Sequence, residues 1–349
     1  MIKFLLGVGA GMFLFSQMAD AKTYSDDDAL KLEFDSYQGV SMFGDPGQKI
    51  KSHGMLWTPD ETKYPGPRPA VVIVPGVGGQ NGRDQRMCDM FIQNGITCLG
   101  LRIYDSRNVK KSLKWSQKFA QAGVGSRLED AYNALHVLGK MPNVDQDNVW
   151  MVGMSVGGFV SAIALSTDVT EPYRIGDDHF AGFVNLYGGC PTYDGDWPQL
   201  GSPYMHYIGE ADANWNERDC NAFYSKLKDS GVQVTHKLFK GSQFNKVGHL
   251  WDWMTDSQTG RGSGRYKLKK NGGTWGQLSI QQYGCGLAFD FDTNVVFAND
   301  QVKTQSSDTE IYAFVDQHCG VAKGTTRANH SVMKEVDAAV VEAIYAQGN

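Results

Sequence analysis

The feature that most constrains this chain is the run Ala70-Val71-Val72-Ile73-Val74, which has no polar side chain and leads directly into Pro75-Gly76-Val77-Gly78-Gly79. Four of its five residues are β-branched, so it reads as a strand. Without polar alternation, that strand must be covered on both faces. Such a strand belongs in a mostly parallel sheet with helices on either side. The residues that follow supply the pattern: strands are expected at 96–103, 148–152, 181–187, 204–208 and 232–239, and helices at 84–94, 127–138, 157–166 and 220–229. Upstream, residues 30–37 and 50–58 alternate and fit an antiparallel pair at a sheet edge, with proline-rich 59–69 as a loop. Strands alternating with helices define an α/β domain.

From 253 to 297 this rhythm fails. The segment is rich in glycine, carries Arg261, Arg265, Lys267, Lys269 and Lys270, and reads either as a solvated loop or as an insertion over a site. Helical spacing returns at 309–315 and 332–345. The expected organisation is a signal peptide at 1–21, an α/β domain at 22–320 with an insertion at about 253–297, and a C-terminal helical tail at 321–349. For the signal, Lys3 supplies the charge, residues 4–15 a short apolar stretch, and Ala19 and Ala21 the small residues before a cleavage site. The apolar stretch is shorter than a membrane span, so no stable membrane insertion is expected after cleavage, and the protein is expected to be secreted or periplasmic.

Composition narrows the partners. The 349 residues are 41% hydrophobic and 20% charged, too apolar for disorder, and a net charge of −5 leaves no basic footprint for nucleic acid. Six cysteines (Cys88, Cys98, Cys190, Cys220, Cys285 and Cys319) permit three disulfides in an exported chain, with fifteen full pairings open. None has zinc-site spacing, and the alternative for each is a buried thiol, above all for Cys98 inside an apolar run.

The chemistry gathers around Gly153-Met154-Ser155-Val156-Gly157, a G-x-S-x-G sequence. The motif alone is weak in a chain with 41 glycines. Here it directly follows an expected strand and precedes a helix of small residues, the context of a nucleophile elbow. A serine hydroxyl needs a base to take its proton and an acid to orient that base. For a serine on such an elbow, acid and histidine follow it in that order, each after a later strand. His249 is the histidine that fits, in a loop after the last strand, since His206 and His236 fall within strands. Asp212 is the preferred acid just past 204–208, with Glu210 the fallback. The oxyanion hole is expected from the Val156 N–H and, in the glycine loop after 70–74, the Val77 N–H. A phosphate cradle is the rival reading of that loop, but it lacks P-loop lysine and dinucleotide spacing. Trp215, Trp251 and Trp253 flank the acid and base and either line the substrate pocket or pack in the core. Asp105 and Arg107 are read as structural. No metal and no cofactor are called for.

With these residues assembled, the chain resembles the dienelactone hydrolase family of α/β-hydrolases. The matching stretches are AVVIVPGVGG, LRIYDSR, NVDQDNVWMVGMSVGG and YIGEADANWNERDCNAFYSKL, followed by the His249 loop. The resemblance implies an eight-stranded sheet, helices on both faces and a Ser155–Asp212–His249 triad. It also favours a Cys190–Cys220 bridge, then Cys285–Cys319, and leaves Cys88–Cys98 as the residual pair. The family's namesake enzymes carry cysteine where this chain has Ser155, and many relatives carry histidine where it has Pro75. The reading is an exported serine hydrolase acting on a small-molecule or polymer ester. A serine peptidase of the same fold, and a binding protein that retained the fold, are the rivals.

Overall fold

The computed structural model describes residues 28–39, 47–110, 112–113, 117–118, 121–193, 199–210, 212, 214–240, 257–260, 263–271, 274–283, 288–291, 323–326 and 330–348. The central sheet has eight strands: β1 (Leu30–Tyr37), β2 (Lys49–Trp57), β3 (Arg68–Val74), β4 (Thr97–Leu101), β5 (Val144–Met154), β6 (Gly182–Leu186), β8 (Tyr204–Gly209) and β9 (Val234–Phe239). Their spatial order is β1-β2-β4-β3-β5-β6-β8-β9. β1 pairs antiparallel with β2, and β2 antiparallel with β4, while every pair from β4 to β9 is parallel. This is the α/β-hydrolase arrangement, with the edge pair where the alternating upstream residues put it.

Side-chain alternation shows why the inner strands are apolar throughout. On β3, Ala70, Val72 and Val74 enter one core cluster, and Val71 and Ile73 the other. β5 divides likewise, Val149 and Met151 facing one cluster and Trp150, Val152 and Met154 the other. The first cluster is closed by α2 (Val124–Leu138), α3 (Val156–Ile163), the short α4 (Thr167–Thr170) and α5 (Glu217–Asp229). The second is closed by α1 (Gly82–Gln93) and the C-terminal α6 (His330–Gln347). Among the described residues, no helix is long and apolar enough to cross a membrane.

Two features go beyond the sequence reading. The segment expected to be irregular contains β10 (Ser257–Gly260), β11 (Ser263–Asn271), β12 (Thr274–Tyr283) and β13 (Ala288–Phe291), and further on β14 (Lys323–Thr326) pairs with β10. A short strand, β7 (Pro191–Tyr193), pairs in parallel with β11 and so joins this second sheet, ordered β13-β12-β11-β7, to the chain just after β6. The second feature is a fully buried ion pair. Arg107 grips Asp130 with Nη1–Oδ2 at 2.7 Å and Nη2–Oδ1 at 2.8 Å, and the Ser36 and Ser52 hydroxyls donate to the same carboxylate at 2.5 and 2.8 Å. The Arg107 side chain is thereby committed to holding β1, β2 and α2 together. Residues 1–27, where the signal peptide is expected, and 309–315 lie outside the described residues.

Candidate active site

Ser155 sits between the end of β5 and the start of α3 with φ 55° and ψ −113°, a conformation that side-chain-bearing residues rarely adopt. Strain of this kind, of order 1–3 kcal/mol, persists only where surroundings enforce it. Three observations show the enforcement. The Ser155 N–H donates to Leu186 O at 2.8 Å, fixing the turn to the end of β6, and its carbonyl accepts from Phe159 N at 3.0 Å, starting the helix. A methyl group on Gly153 would lie 1.9 Å from Gly157 O, and one on Gly157 2.0 Å from Val74 O. Strand, turn and helix therefore approach so closely that the serine can occupy only the apex.

The glycine loop lies against this apex. A Cβ on Gly76 would stand 3.2 Å from Met154 O and 3.3 Å from Ser155 Cβ. The loop folds as a turn closed by Gly79 N–H to Gly76 O at 3.0 Å, with Gly79 at φ 76°. Val77 is partly exposed beside exposed Gly78. Val156 opens α3, half-buried against the core.

Asp212 follows β8 and is only 5% exposed. Its Oδ1 accepts the Asn214 N–H at 2.8 Å, and Asn214 Nδ2 donates to Tyr187 O at 2.9 Å, tying this loop to the end of β6. Serine and acid thus belong to the same end of the sheet, with β6 between their strands. Trp215 is half-buried and packs against both apolar clusters. Glu210 begins the same turn, its N–H held by Phe239 O at 2.9 Å. His249, Trp251 and Trp253 lie outside the described residues, as do Cys285 and Cys319.

Among the described residues two disulfides form, Cys88–Cys98 and Cys190–Cys220, so the residual pair is present beside the favoured one. Cys190–Cys220 links the segment after β6 to the first turn of α5, bracketing the acid loop. Beside it, His206 Nδ1 shares a 2.6 Å hydrogen bond with Tyr224 Oη. Burial lowers the His206 pKa to about 3, with a smaller push from neighbouring His236. Cys190, His206 and Cys220 bring metal-ligand types within 4.8 Å of one another, but the disulfide consumes both thiols.

The sequence reading missed three buried polar residues that shape this end of the sheet: Arg127, Tyr104 and Asn185. Asn185 on β6 accepts the Gly188 N–H at 2.7 Å and donates to Tyr204 Oη at 2.9 Å. Arg127 had a signal, since it falls on the apolar stripe of α2 with Ala131, Leu135 and Leu138, where an exposed arginine has no place.

Fold and elbow together define an α/β-hydrolase. Residues 53–246, more than half of the chain, match the dienelactone hydrolase family, and the chain belongs to that family. Membership of that family makes it a hydrolase. Among solved structures, it is similar to a dienelactone hydrolase-like promiscuous phosphotriesterase from metagenomic libraries, at 20% identity and TM-score 0.43, covering 64% of this chain and 84% of that one. It is also similar to esterase 2 of Thermogutta terrifontis phosphorylated by paraoxon, at 15% identity and TM-score 0.45, covering 65% and 86%. No curated protein matches the chain.

Proposed function

We propose that this hydrolase is exported and cleaves a carboxylic ester through Ser155, His249 and Asp212, by way of an acyl-enzyme. The observation that carries the proposal is the strained Ser155 at the strand-to-helix apex, with buried Asp212 past a strand of the same sheet end. In the first half-reaction Ser155 Oγ bonds to the ester carbonyl carbon while its proton passes to His249. The Val156 and Val77 N–H groups receive the charge that develops on the carbonyl oxygen. His249, oriented by Asp212, then protonates the departing alcohol as the C–O bond breaks. In the second half-reaction water attacks the acyl-enzyme, His249 takes its proton and returns it to Ser155, and the carboxylic acid leaves. Trp215, Trp251 and Trp253 border the acyl or alcohol pocket. Export is supported by the N-terminal residue pattern and by two disulfides, which form in oxidising compartments.

The test is a fluorophosphonate probe together with short-chain p-nitrophenyl esters, applied to the purified protein and to Ser155→Ala. The wild type should label and turn over, and the variant should lose labelling and at least about 10³-fold in kcat. Labelling that survives the substitution would overturn the assignment of Ser155. Peptide cleavage without ester cleavage would favour a peptidase, and neither activity a binding protein.

A further inference from the structure

Arg127 is fully buried, and each of its five guanidinium N–H groups has an oxygen to meet. Nε donates to Pro75 O at 3.3 Å, and Nη2 to Gly76 O at 3.2 Å and Tyr104 Oη at 3.1 Å. Nη1 donates to Ala122 O and to Gly123 O, the latter at 3.0 Å. The Tyr104 hydroxyl in turn donates to Val77 O at 2.8 Å. Three consecutive carbonyls of the glycine loop, those of residues 75, 76 and 77, are therefore held from the protein interior by one cation and one phenol.

In a planar trans peptide, C=O and N–H point in opposite directions. No cis peptide occurs among the described residues. The carbonyl of Gly76 and the N–H of Val77 belong to one peptide unit, so a guanidinium on Gly76 O turns the Val77 N–H away from the interior. A positive charge at the oxygen also polarises the amide and strengthens its N–H as a donor. The loop's other ties lie at its far end, where the Gly79 N–H donates to Gly76 O at 3.0 Å and Gly79 O accepts from Asn81 Nδ2 at 3.0 Å.

We infer that Arg127 and Tyr104 are positioning residues that orient and polarise the Val77 N–H as an oxyanion donor. The inference rests on the ester-hydrolase reading above. Neither side chain touches the substrate: both act through the carbonyls of the loop. The arrangement gives α2 and the segment after β4 a part in transition-state stabilisation.

The test uses Tyr104→Phe, which removes one hydroxyl and keeps the ring, with Arg127→Lys and Arg127→Met as a graded pair. Active sites are counted by fluorophosphonate titration, and kcat and KM are measured per active site on a p-nitrophenyl ester. Affinity for an alkyl boronic acid, which forms a tetrahedral adduct with the serine, gives a second readout. Misplacing one oxyanion donor should lower kcat about 10-fold in Tyr104→Phe, less than the 10²–10³-fold typical of deleting a donor outright. KM should stay within about two-fold, and boronate affinity should fall in step with kcat. Arg127→Lys should retain more kcat than Arg127→Met. If Tyr104→Phe keeps wild-type kcat and boronate affinity, or if the variants lose only active-site count, the clamp is overturned while the ester-hydrolase reading stands. If the wild type neither labels nor turns over, that reading fails and the clamp fails with it.

Discussion

His206 shows what a single buried residue contributes to the behaviour of the whole chain. It lies inside β8, shares a hydrogen bond with Tyr224 and is stacked between strands where water does not reach. Burial holds its pKa near 3 in the folded protein. A histidine in the unfolded chain takes its proton near pH 6.5. Between those values the unfolded state binds the extra proton, so stability rises with pH across the window and is lost as pH falls below about 6.5. The slope approaches about 1.4 kcal/mol per pH unit. His206→Gln, which cannot charge, should lower stability at neutral pH by losing its fit to Tyr224, yet flatten the acid limb between about pH 4 and 6.5. Urea midpoints of both proteins across that range check it. Parallel acid limbs would show that other groups, the carboxylates foremost, carry the dependence.

At the scale of elements, the turn joining β5 to α3 is where sequence and structure correspond most closely. The glycines at 153 and 157 are demanded by contact with backbone. A methyl on Gly157 would meet Val74 O at 2.0 Å and Pro75 O at 3.0 Å, and a strand carbonyl cannot swing aside as a side chain can. Gly157→Ala should therefore destabilise by more than about 3 kcal/mol, at the upper end of overpacking costs. Gly82→Ala, at a position with nothing within 4 Å, should stay within about 1 kcal/mol. Chemical denaturation of the two variants checks the contrast, and equal effects would mean the elbow can yield. The same logic explains what was readable beforehand. Strands buried on both faces announce themselves by unbroken apolar runs, and the elbow by its paired glycines. The position of Asp212 just past a strand was legible too. Arg127 and Tyr104 were not singled out, because their role is a hydrogen-bond pattern to backbone carbonyls from distant elements, which no local spacing encodes. β7 is three residues long and begins with Pro191, too short for periodicity to register. In β11, Arg265, Lys267 and Lys269 alternate with Tyr266 and Leu268, a strand pattern that the surrounding glycines obscured.

Across the whole molecule, the C-terminal helix α6 closes one face of a sheet whose strands were laid down long before it in the sequence. Val332, Met333, Val336, Val340 and Ile344 enter the apolar cluster that contains Met87, Phe91 and Trp150. Arg86 pairs with Asp337 at 2.8 Å, Lys237 pairs with Glu335, and Asn148 Nδ2 donates to Ile344 O at 3.0 Å. Contacts spanning 98 to 251 residues thus converge on one element. Burying five apolar side chains contributes about 10 kcal/mol before the cost of ordering the helix. The net stability of a folded domain is only about 5–15 kcal/mol, so the sheet has little reserve without this cover. Ending the chain at residue 329 removes the ordering cost of α6, but leaves the apolar surface of α1 and β5 in water with nothing to replace it. The truncated protein should lose its cooperative thermal transition and bind an apolar dye, while keeping much of its far-ultraviolet signal from the remaining helices and strands. Calorimetry and dye fluorescence on the full and truncated chains decide the matter. A cooperative transition within a few degrees of the full chain would show that the β-sheet and its other helices stand without α6, and that the helix is an appendage rather than the closing layer of the core.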